Sequence, residues 1–187
     1  MIVSETAIAG LLKVKLQRHG DERGSFSRLY CDSELATFMG SSSVVEVNHS
    51  VTDRAGSVRG MHYQRPPHAE IKLITCLRGS VFDVAVDLRA GSPTFLQWLG
   101  QELTAQDDLL WVIPEGVAHG FQALEDSSEL LYFHSAHYTP EAEAGIRFDD
   151  PRLAIDWPLA TTEISSRDLA FEPLSNSFDG VVLAGSG

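Results

Sequence analysis

The chain has little cysteine and no long apolar run. Only two of its 187 residues are cysteine, Cys31 and Cys76, and their separation fits no metal-binding motif. No apolar stretch approaches the length that crosses a bilayer, and the opening MIVSETAIAG lacks the basic start and apolar core of a signal peptide. We therefore expect a protein of the reducing cytoplasm that has no membrane partner.

Positive charge is also scarce. The sequence has 14 lysines and arginines against 26 aspartates and glutamates, which leaves a net charge of −12. A charge of this sign and size repels nucleic acid and anionic lipid, so neither is expected as a partner. Any ligand that carries phosphate must therefore be held by local cations.

What is present fits one globular domain over residues 1–187. Apolar residues make up 43% of the chain and charged residues 21%, close to the averages of soluble proteins, so one sizeable core is expected. Between about residues 44 and 139, short apolar runs alternate with Gly, Pro, Asp and Ser at hairpin-like intervals. This pattern predicts an all-β sandwich or barrel with few short helices.

Two segments give specific local predictions. In VFDVAVDL, apolar residues alternate with Asp83 and Asp87, which predicts a strand with one apolar and one polar face. Further strands are predicted at IKLITCL, QWLGQELT, LLWVI, HGFQAL and ELLYFHSAHY. In DSELATFMG, Asp32 is the predicted N-cap of a helix, and Gly40 lies just past its end.

Three polar residues are candidates for chemistry, although each also has a purely structural interpretation. His62 lies in VRGMHYQRPP, where the double proline fixes the chain direction, and in isolation it reads as a core histidine with a backbone partner. Lys72 begins an apolar strand and in isolation reads as an edge residue. Tyr132 shares a strand face with His134 and in isolation reads as an aromatic packing residue.

A metal site is an alternative for four of the polar side chains. His62, His68, Glu70 and His119 together provide three nitrogens and a carboxylate, a set that small barrels use for iron, manganese or zinc. Metal-binding barrels usually place two histidines at alternate positions of one strand, whereas a double proline separates His62 from His68 here. The spacing therefore argues against a metal.

Ten strings, read in order from about residue 18 to 169, resemble the dTDP-4-dehydrorhamnose 3,5-epimerase family of nucleotide-sugar enzymes. They are DERG, NHS, RGMHYQ, PPHAEIKL, VFDVAVDLR, GSPTF, IPEGVAHGF, LLYFHSAHYTPEAE, DPRLAIDWP and ISSRD. The resemblance implies a cupin-type jelly-roll barrel, a homodimer, and catalysis without metal or other cofactor. The implied substrate is a nucleotide-diphospho-sugar, and the implied setting is deoxysugar biosynthesis.

The resemblance also implies a role for each matched residue. His62 resembles the family's catalytic base, Asp168 its carboxylate partner, Lys72 the cation beside the keto oxygen, and Tyr132 the opposing acid. The residues that resemble substrate contacts are Arg23 and Arg59 at the pyrophosphate, and Asn48, His119 and Tyr138 in the nucleotide and sugar cavity. Epimerisation of a 4-keto sugar needs such a set, because the hydrogens at carbons 3 and 5 both lie beside the carbonyl and their removal gives an enolate.

The chain departs from the family pattern at three charged positions. Arg28 replaces a glutamate, while Glu46 and Glu70 replace glutamines. A carboxylate accepts hydrogen bonds from the exocyclic amines of cytosine and guanine, which thymine lacks. With Arg28 and Glu46 at the nucleotide, a CDP- or GDP-linked 4-keto sugar is our hypothesis. The alternative is that these two residues form a surface ion pair and leave the nucleotide unchanged.

Other functions stay open at this point. An epimerase acting at carbon 3 or carbon 5 alone has the same sequence features as one acting at both. A metal-dependent cupin isomerase or dioxygenase is a second alternative, and a binding module without turnover is a third. The joint presence of His62, Lys72, Tyr132 and Asp168 argues against the binding module, because binding alone does not need all four.

Overall fold

The computed structural model describes residues 1–183. In chain order the strands are β1 (Ile2–Glu5), β2 (Leu12–Lys15), β3 (Arg18–Asp21), β4 (Gly24–Ser27), β5 (Glu46–Thr52), β6 (Val58–Gln64), β7 (Lys72–Arg78), β8 (Ser80–Asp87), β9 (Trp98–Thr104), β10 (Leu109–Ile113), β11 (Val117–Ala123), β12 (Ser128–His134) and β13 (Glu143–Gly145). The helices are α1 (Asp32–Met39) and α2 (Ser166–Leu169). Neither of these helices is long and apolar enough to span a membrane.

The strands form two main antiparallel sheets. The larger sheet has six strands in the order β1-β2-β10-β7-β12-β5, and the smaller has five in the order β13-β6-β11-β8-β9. Apolar residues from both sheets, such as Ile74 and Ala85, pack into one core cluster. The predicted all-β class is therefore confirmed, as a cupin-type jelly roll, and the six predicted strands from IKLITCL to ELLYFHSAHY correspond to β7 through β12.

Strand β8 has the predicted alternation, but its polar side does not face solvent. Asp83 and Asp87 are both fully buried. Asp83 contacts His119 on β11, and Asp87 accepts hydrogen bonds of 2.8 and 2.7 Å from the guanidinium of Arg89. The apolar side is covered by segments from the last third of the chain, including Trp157. The strand is buried on both faces, and each buried carboxylate has a partner of suitable chemistry, His119 for Asp83 and Arg89 for Asp87.

Helix α1 begins one residue earlier than predicted. Cys31 occupies the N-cap position without a side-chain capping bond, so the assignment of Asp32 as the cap is wrong. Gly40 ends the helix with a φ of +58°, as predicted. Leu35 and Met39 face inward and pack on the outer side of the six-stranded sheet.

The first thirty residues contain four strands that the sequence pattern did not predict. Strands β1 and β2 extend the large sheet beyond β10. Strands β3 and β4 form a two-stranded hairpin of their own, and Phe26 on this hairpin is 69% exposed. The four strands are only four residues long each, which leaves little room for a visible alternation.

The space between the sheets has two halves of different character. Around β7, β8, β9 and β10 it is filled by apolar side chains such as Trp111, Leu103 and Ile113, each at most 1% exposed. Towards β5, β6 and β12 the side chains become polar and the space opens into a cavity. The strands thus carry a packed core at one side and a solvent-connected site at the other.

Candidate active site

A cavity of about 1000 Å³ opens between the two sheets. Five of its lining residues, each from a different element, are the predicted catalytic or substrate-binding residues His62, Lys72, His119, Tyr132 and Asp168. The lining also includes the predicted contacts Asn48, Arg59 and Tyr138. The structure therefore brings eight of the eleven predicted site residues into one cavity.

Arg59 and His62 both line this cavity although they are three residues apart on β6. Strict alternation would put them on opposite faces of the sheet. The pairing with β11 shows how this is avoided: His119 pairs with His62, but Phe121, two residues further along β11, pairs with Arg59. One extra residue in β6 forms a bulge that re-aims the side chains. Gly60 permits it, because its φ is +126° and a Cβ there would lie 2.5 Å from the β11 backbone.

His62 is held by a buried carboxylate. Its Nε2 atom lies 2.7 Å from Oδ1 of Asp168, whose side chain is 3% exposed. The other carboxylate oxygen accepts a bond of 3.2 Å from the Gly60 N–H, and the N-cap residue Ser165 accepts one of 3.0 Å from the Asp168 N–H. Burial opposes ionisation, but the hydrogen bonds from His62 and Gly60 hold the pKa of Asp168 below its usual range. The charged carboxylate orients the imidazole for proton transfer.

Lys72 projects into the cavity from the first position of β7. This strand lies between β10 and β12, so the interpretation of Lys72 as an edge residue is wrong. Its side chain is 10% exposed, and Nζ donates to the His62 carbonyl at 3.2 Å and lies 3.4 Å from Oε1 of Glu70. An ammonium group with so little water around it acts more strongly on a nearby negative charge than it would in solution.

Tyr132 and His119 form an aromatic corner of the cavity. Their rings meet edge to face at 6.0 Å and 71°, and Nε2 of His119 lies 2.7 Å from Oδ1 of the fully buried Asp83. Burial, reinforced by the negative charge of Asp83, raises the pKa of Tyr132 above its usual value. The phenol therefore keeps its proton at neutral pH and can donate it. The polar face predicted for β8 was the sequence signal for Asp83.

Arg23 does not line the cavity of its own chain. It lies at the turn of the β3–β4 hairpin, its side chain is 86% exposed, and its guanidinium bonds Asp21. Arg28 follows the hairpin and forms an ion pair of 2.9 Å with Glu34, again outside the cavity lining. The structure therefore separates both arginines from the predicted catalytic residues of the same chain.

Glu46 also lies outside the lining, next to a residue that belongs to it. Its Oε1 atom accepts a bond of 3.1 Å from the Tyr138 N–H and lies 3.1 Å from Nδ1 of His137. Because Arg28 pairs with Glu34 instead, the predicted alternative of an Arg28–Glu46 surface pair is wrong. Glu46 fixes the backbone at Tyr138 on the cavity rim.

Two residues of this rim, Arg167 and Glu143, were not predicted from the sequence. Nη2 of Arg167 lies 3.4 Å from Nε2 of His62, and its Nη1 donates to Glu143 at 3.1 Å. Glu143 also accepts a bond of 2.8 Å from the Tyr138 hydroxyl. These contacts join α2, β13 and the segment after β12 across one edge of the cavity. The position of Arg167 directly before Asp168 was the only sequence signal for it.

Three of the four side chains considered as metal ligands line the cavity, but they do not share a common point. His68 is exposed and lies 3.3 Å from the Thr139 hydroxyl, while His62, His119 and Glu70 each have a different partner. Within residues 1–183, no three His, Cys, Asp or Glu side chains are arranged to hold a metal ion.

Comparison with known proteins gives a consistent result. A family model described as dTDP-4-dehydrorhamnose 3,5-epimerase matches residues 5–176. The dTDP-4-dehydrorhamnose 3,5-epimerase of Mycobacterium tuberculosis is 41% identical over 99% of this chain and 91% of its own length.

Two solved structures extend the comparison. The 3,5-epimerase of Legionella pneumophila, solved with dTDP-4-keto-L-rhamnose, is 38% identical over 92% of each chain, with a TM-score of 0.87. ChmJ of Streptomyces bikiniensis, a 3'-monoepimerase solved with dTDP-quinovose, is 31% identical over 90% of this chain and 85% of that one, with a TM-score of 0.83. The resemblance inferred from the sequence is thus confirmed, and the chain belongs to the dTDP-4-dehydrorhamnose 3,5-epimerase family of isomerases.

Proposed function

We propose that this chain epimerises a nucleotide-linked 4-keto-6-deoxy sugar by removing a proton beside the ketone and returning one to the opposite face. The observation that supports it most is the contact of 2.7 Å between His62 and the buried Asp168, in a cavity that Lys72 and Tyr132 also line. Such a set provides a base, a carboxylate that orients it, a cation and an acid.

In this mechanism His62 takes the proton. The charged Asp168 carboxylate stabilises the imidazolium that forms. The negative charge that the sugar gains collects on its keto oxygen, where the Lys72 ammonium stabilises it. The enolate lasts until a proton reaches the same carbon.

Tyr132 then supplies that proton from the other face. Its raised pKa keeps the phenol protonated until a strongly basic carbanion is present. Inversion requires that base and acid be different groups on opposite sides of the sugar ring. The two belong to strands of opposite sheets, His62 to β6 and Tyr132 to β12.

The diphosphate is assigned to Arg59. Its Nε donates to the Thr52 hydroxyl and its Nη2 to the Val51 carbonyl, so it carries a positive charge in the cavity without a carboxylate partner among these contacts. The resemblance assigns Arg23 to the same group, yet Arg23 projects away on an exposed hairpin. We infer that the protein is a homodimer in which this hairpin brings Arg23 to the cavity of the second copy.

For the nucleotide we propose thymidine diphosphate. The Legionella and Streptomyces relatives were solved with dTDP-linked sugars. Arg28 pairs with Glu34, Glu46 bonds the Tyr138 N–H, and neither of the two lines the cavity, so they give little support to a CDP- or GDP-linked substrate. Calorimetric titration with dTDP, UDP, CDP and GDP measures the preference directly, and tighter binding of CDP or GDP would replace this assignment.

We further propose that the chain forms a single cytoplasmic domain. Two observations support this: Cys31 and Cys76 are free thiols, and the packed clusters include residues from both ends of the described chain.

Deuterium uptake from heavy water tests the proposed reaction. The wild type is expected to exchange hydrogens beside the ketone of dTDP-4-keto-6-deoxyglucose, and His62→Asn is expected to abolish exchange at both carbons. His68→Asn, which changes an exposed histidine outside the cavity lining, serves as the matched control and should exchange normally. Normal exchange in His62→Asn would show that another group is the base.

A second experiment concerns how many carbons of the sugar are inverted. ChmJ inverts one centre with the same fold, so a 3-epimerase is the alternative function. NMR analysis of the product distinguishes the two: deuterium and inversion at carbons 3 and 5 support the double epimerase, whereas carbon 3 alone supports the alternative.

A further inference from the structure

A second charged cluster adjoins Lys72 in the cavity. Oε1 of Glu70 lies 3.4 Å from Nζ of Lys72, and Oε2 of the same carboxylate lies 2.8 Å from Nδ1 of His134. The side chains of Glu70, Lys72 and His134 are 8%, 10% and 15% exposed, and all three line the cavity. In the proposed mechanism Lys72 stabilises the enolate, whereas Glu70 and His134 have no role.

Strand geometry explains why these side chains meet. Glu70 and Lys72 are two residues apart, so they point to the same side. His134 pairs directly with Lys72 across the β7–β12 ladder, and Tyr132 lies two residues before it on the same face. The four side chains therefore form one patch on the inner surface of the six-stranded sheet.

The backbone at Glu70 is also fixed. The Ile71 N–H donates to the Ser135 hydroxyl at 2.7 Å, and the Ser135 N–H donates to the Ile71 carbonyl at 3.0 Å. These two bonds continue the β7–β12 contact past Lys72. Glu70 thus starts from a rigid position, which is a requirement for a residue that orients others.

The cluster connects Lys72 to Tyr132. The His134 ring stacks on the Tyr132 ring, with the two ring centroids 5.9 Å apart and an interplanar angle of 15°. The Nδ1 atom of the same imidazole contacts Oε2 of Glu70. Burial disfavours the charge on Glu70, but the His134 and Lys72 contacts outweigh it and keep the pKa of the carboxyl below its usual range. Glu70 is therefore an ionised acceptor that contacts one proposed catalytic group directly and the other through one ring.

We propose that Glu70 is a positioning residue, which anchors the Lys72 ammonium at the keto oxygen and, through His134, the Tyr132 phenol that faces the sugar from the side opposite His62. The proposal rests on the roles of Lys72 and Tyr132 in the proposed function. Anchoring here means contacting two neighbours at once, His134 by a hydrogen bond and Lys72 by an ion pair. The glutamine that the family usually carries at this position has the same length and also offers an acceptor to Lys72.

The test compares two substitutions of equal length. Glu70→Met removes both acceptors and is expected to lower kcat roughly 10- to 100-fold with KM within about threefold of wild type, because displaced catalytic groups lose rate rather than binding. Glu70→Gln restores an acceptor and is expected to retain kcat within about threefold of wild type. Wild-type kcat in Glu70→Met, or an equal loss in both variants, overturns the proposal.

The matched control is Glu129→Met. Glu129 also joins a histidine and an arginine, with Nε2 of His49 at 3.0 Å and Nη1 of Arg78 at 3.6 Å, but it touches neither Lys72 nor Tyr132 through these contacts and does not itself line the cavity. Its kcat should equal that of the wild type, and a loss as large as that of Glu70→Met would overturn the proposal.

A second variant tests the proposal if Glu70→Met does not fold. His134→Phe keeps a flat ring beside Tyr132 but removes the donor to Glu70, and kcat is expected to fall roughly threefold to tenfold. If Glu70→Met does not fold, this variant decides, and wild-type kcat in it overturns the proposal.

An NMR measurement separates this proposal from the proposed function. In protein with 15N-labelled lysine, a hydrogen-bonded, nearly buried ammonium exchanges its protons slowly and gives its own signal, assigned by its loss in Lys72→Met. The signal is expected in the wild type and in Glu70→Gln. In Glu70→Met it should shift and its proton exchange should become faster, because only the His62 carbonyl remains as a partner of the ammonium group. An unchanged signal in Glu70→Met overturns the anchoring. If the wild type turns over no 4-keto sugar, the proposed function fails, and the ammonium signal still decides the anchoring.

Discussion

The two halves of the space between the sheets share strands β7 and β12 but hold opposite kinds of side chain. On β7, Lys72 faces the cavity while Ile74 and Cys76 face the core; on β12, Tyr132 borders the cavity while Leu130 is 1% exposed in the core. Apolar packing holds one part of each strand in place. The neighbouring part of the same strand carries the polar side chains that line the cavity. This arrangement places charged side chains on rigid elements at the margin of a dry interior.

The comparison implies that the polar half can lose its chemistry without losing the fold, and Asp168 is the sharpest place to test it. Asp168→Asn keeps the size of the side chain but removes the charge that orients and stabilises His62. Steady-state kinetics should show kcat lowered roughly 10³-fold, with the melting temperature within a few degrees of wild type. A large fall in the melting temperature with kcat of the folded protein preserved would assign Asp168 to structure instead.

The packed half should show the reverse behaviour. Leu103→Ala opens a hole in the core at a residue that is 1% exposed and outside the cavity lining. We expect the free energy of unfolding to fall by about 2–5 kcal/mol in urea denaturation, because transfer and cavity costs add. The kcat of the folded fraction should stay at the wild-type value, and a specific loss of kcat would contradict the division into two halves.

Within the polar half, binding and chemistry should also separate. Arg59→Lys keeps the positive charge but loses the planar fork that matches a diphosphate, so KM is expected to rise roughly tenfold with kcat within about threefold of wild type. Initial-rate kinetics at several substrate concentrations give both constants. A fall in kcat at unchanged KM would move Arg59 from the diphosphate to the reacting carbons.

Acid should lower the melting temperature partly through the polar half, because two of its carboxylates stabilise the folded state only when they are ionised. The pKa values of Asp168 and Glu70 are held below their usual ranges, so their stabilisation is present above the unfolded-state pKa values of about 4 and is lost as pH falls further, through the folded-state values. Calorimetry between pH 7 and 3 should show a decline in melting temperature that is smaller, by roughly 2 °C, in Asp168→Asn.

The control for this measurement is Glu102→Gln, at an exposed position on β9. It should follow the wild-type pH dependence. An identical pH dependence in Asp168→Asn would show that the His62–Asp168 contact contributes nothing to acid stability.

The central strands were predictable because each carries an apolar alternation long enough to be recognised. The strands β1 to β4 were not, since four residues give too few positions to show a period. The N-cap was misassigned because Asp32 has the right chemistry for a cap while the backbone turns one residue earlier, at Cys31. Asp83 was taken only as part of a polar face, because its buried partner His119 lies 36 residues away.

For the site, the motifs identified residues but not their distances. Family strings located His62, Lys72, Tyr132 and Asp168, and the structure places all four in one cavity. Nothing local could show that Arg23 projects away from that cavity, because its position depends on how the hairpin leaves the sheets. Ion pairs such as those of Arg28 and Glu46 were likewise not predictable, since several partners of suitable charge lie within reach in the sequence.

The extra residue in β6 has a consequence for how this molecule can vary. A regular strand offers neighbours on one side only at even spacing, so the guanidinium for the diphosphate and the imidazole for the ring carbon owe their common direction to one irregularity. Any side chain at Gly60 would collide with the adjoining strand. The binding of the diphosphate and the abstraction of the proton therefore both depend on the absence of a side chain at Gly60. A substitution at this position is expected to impair the two together.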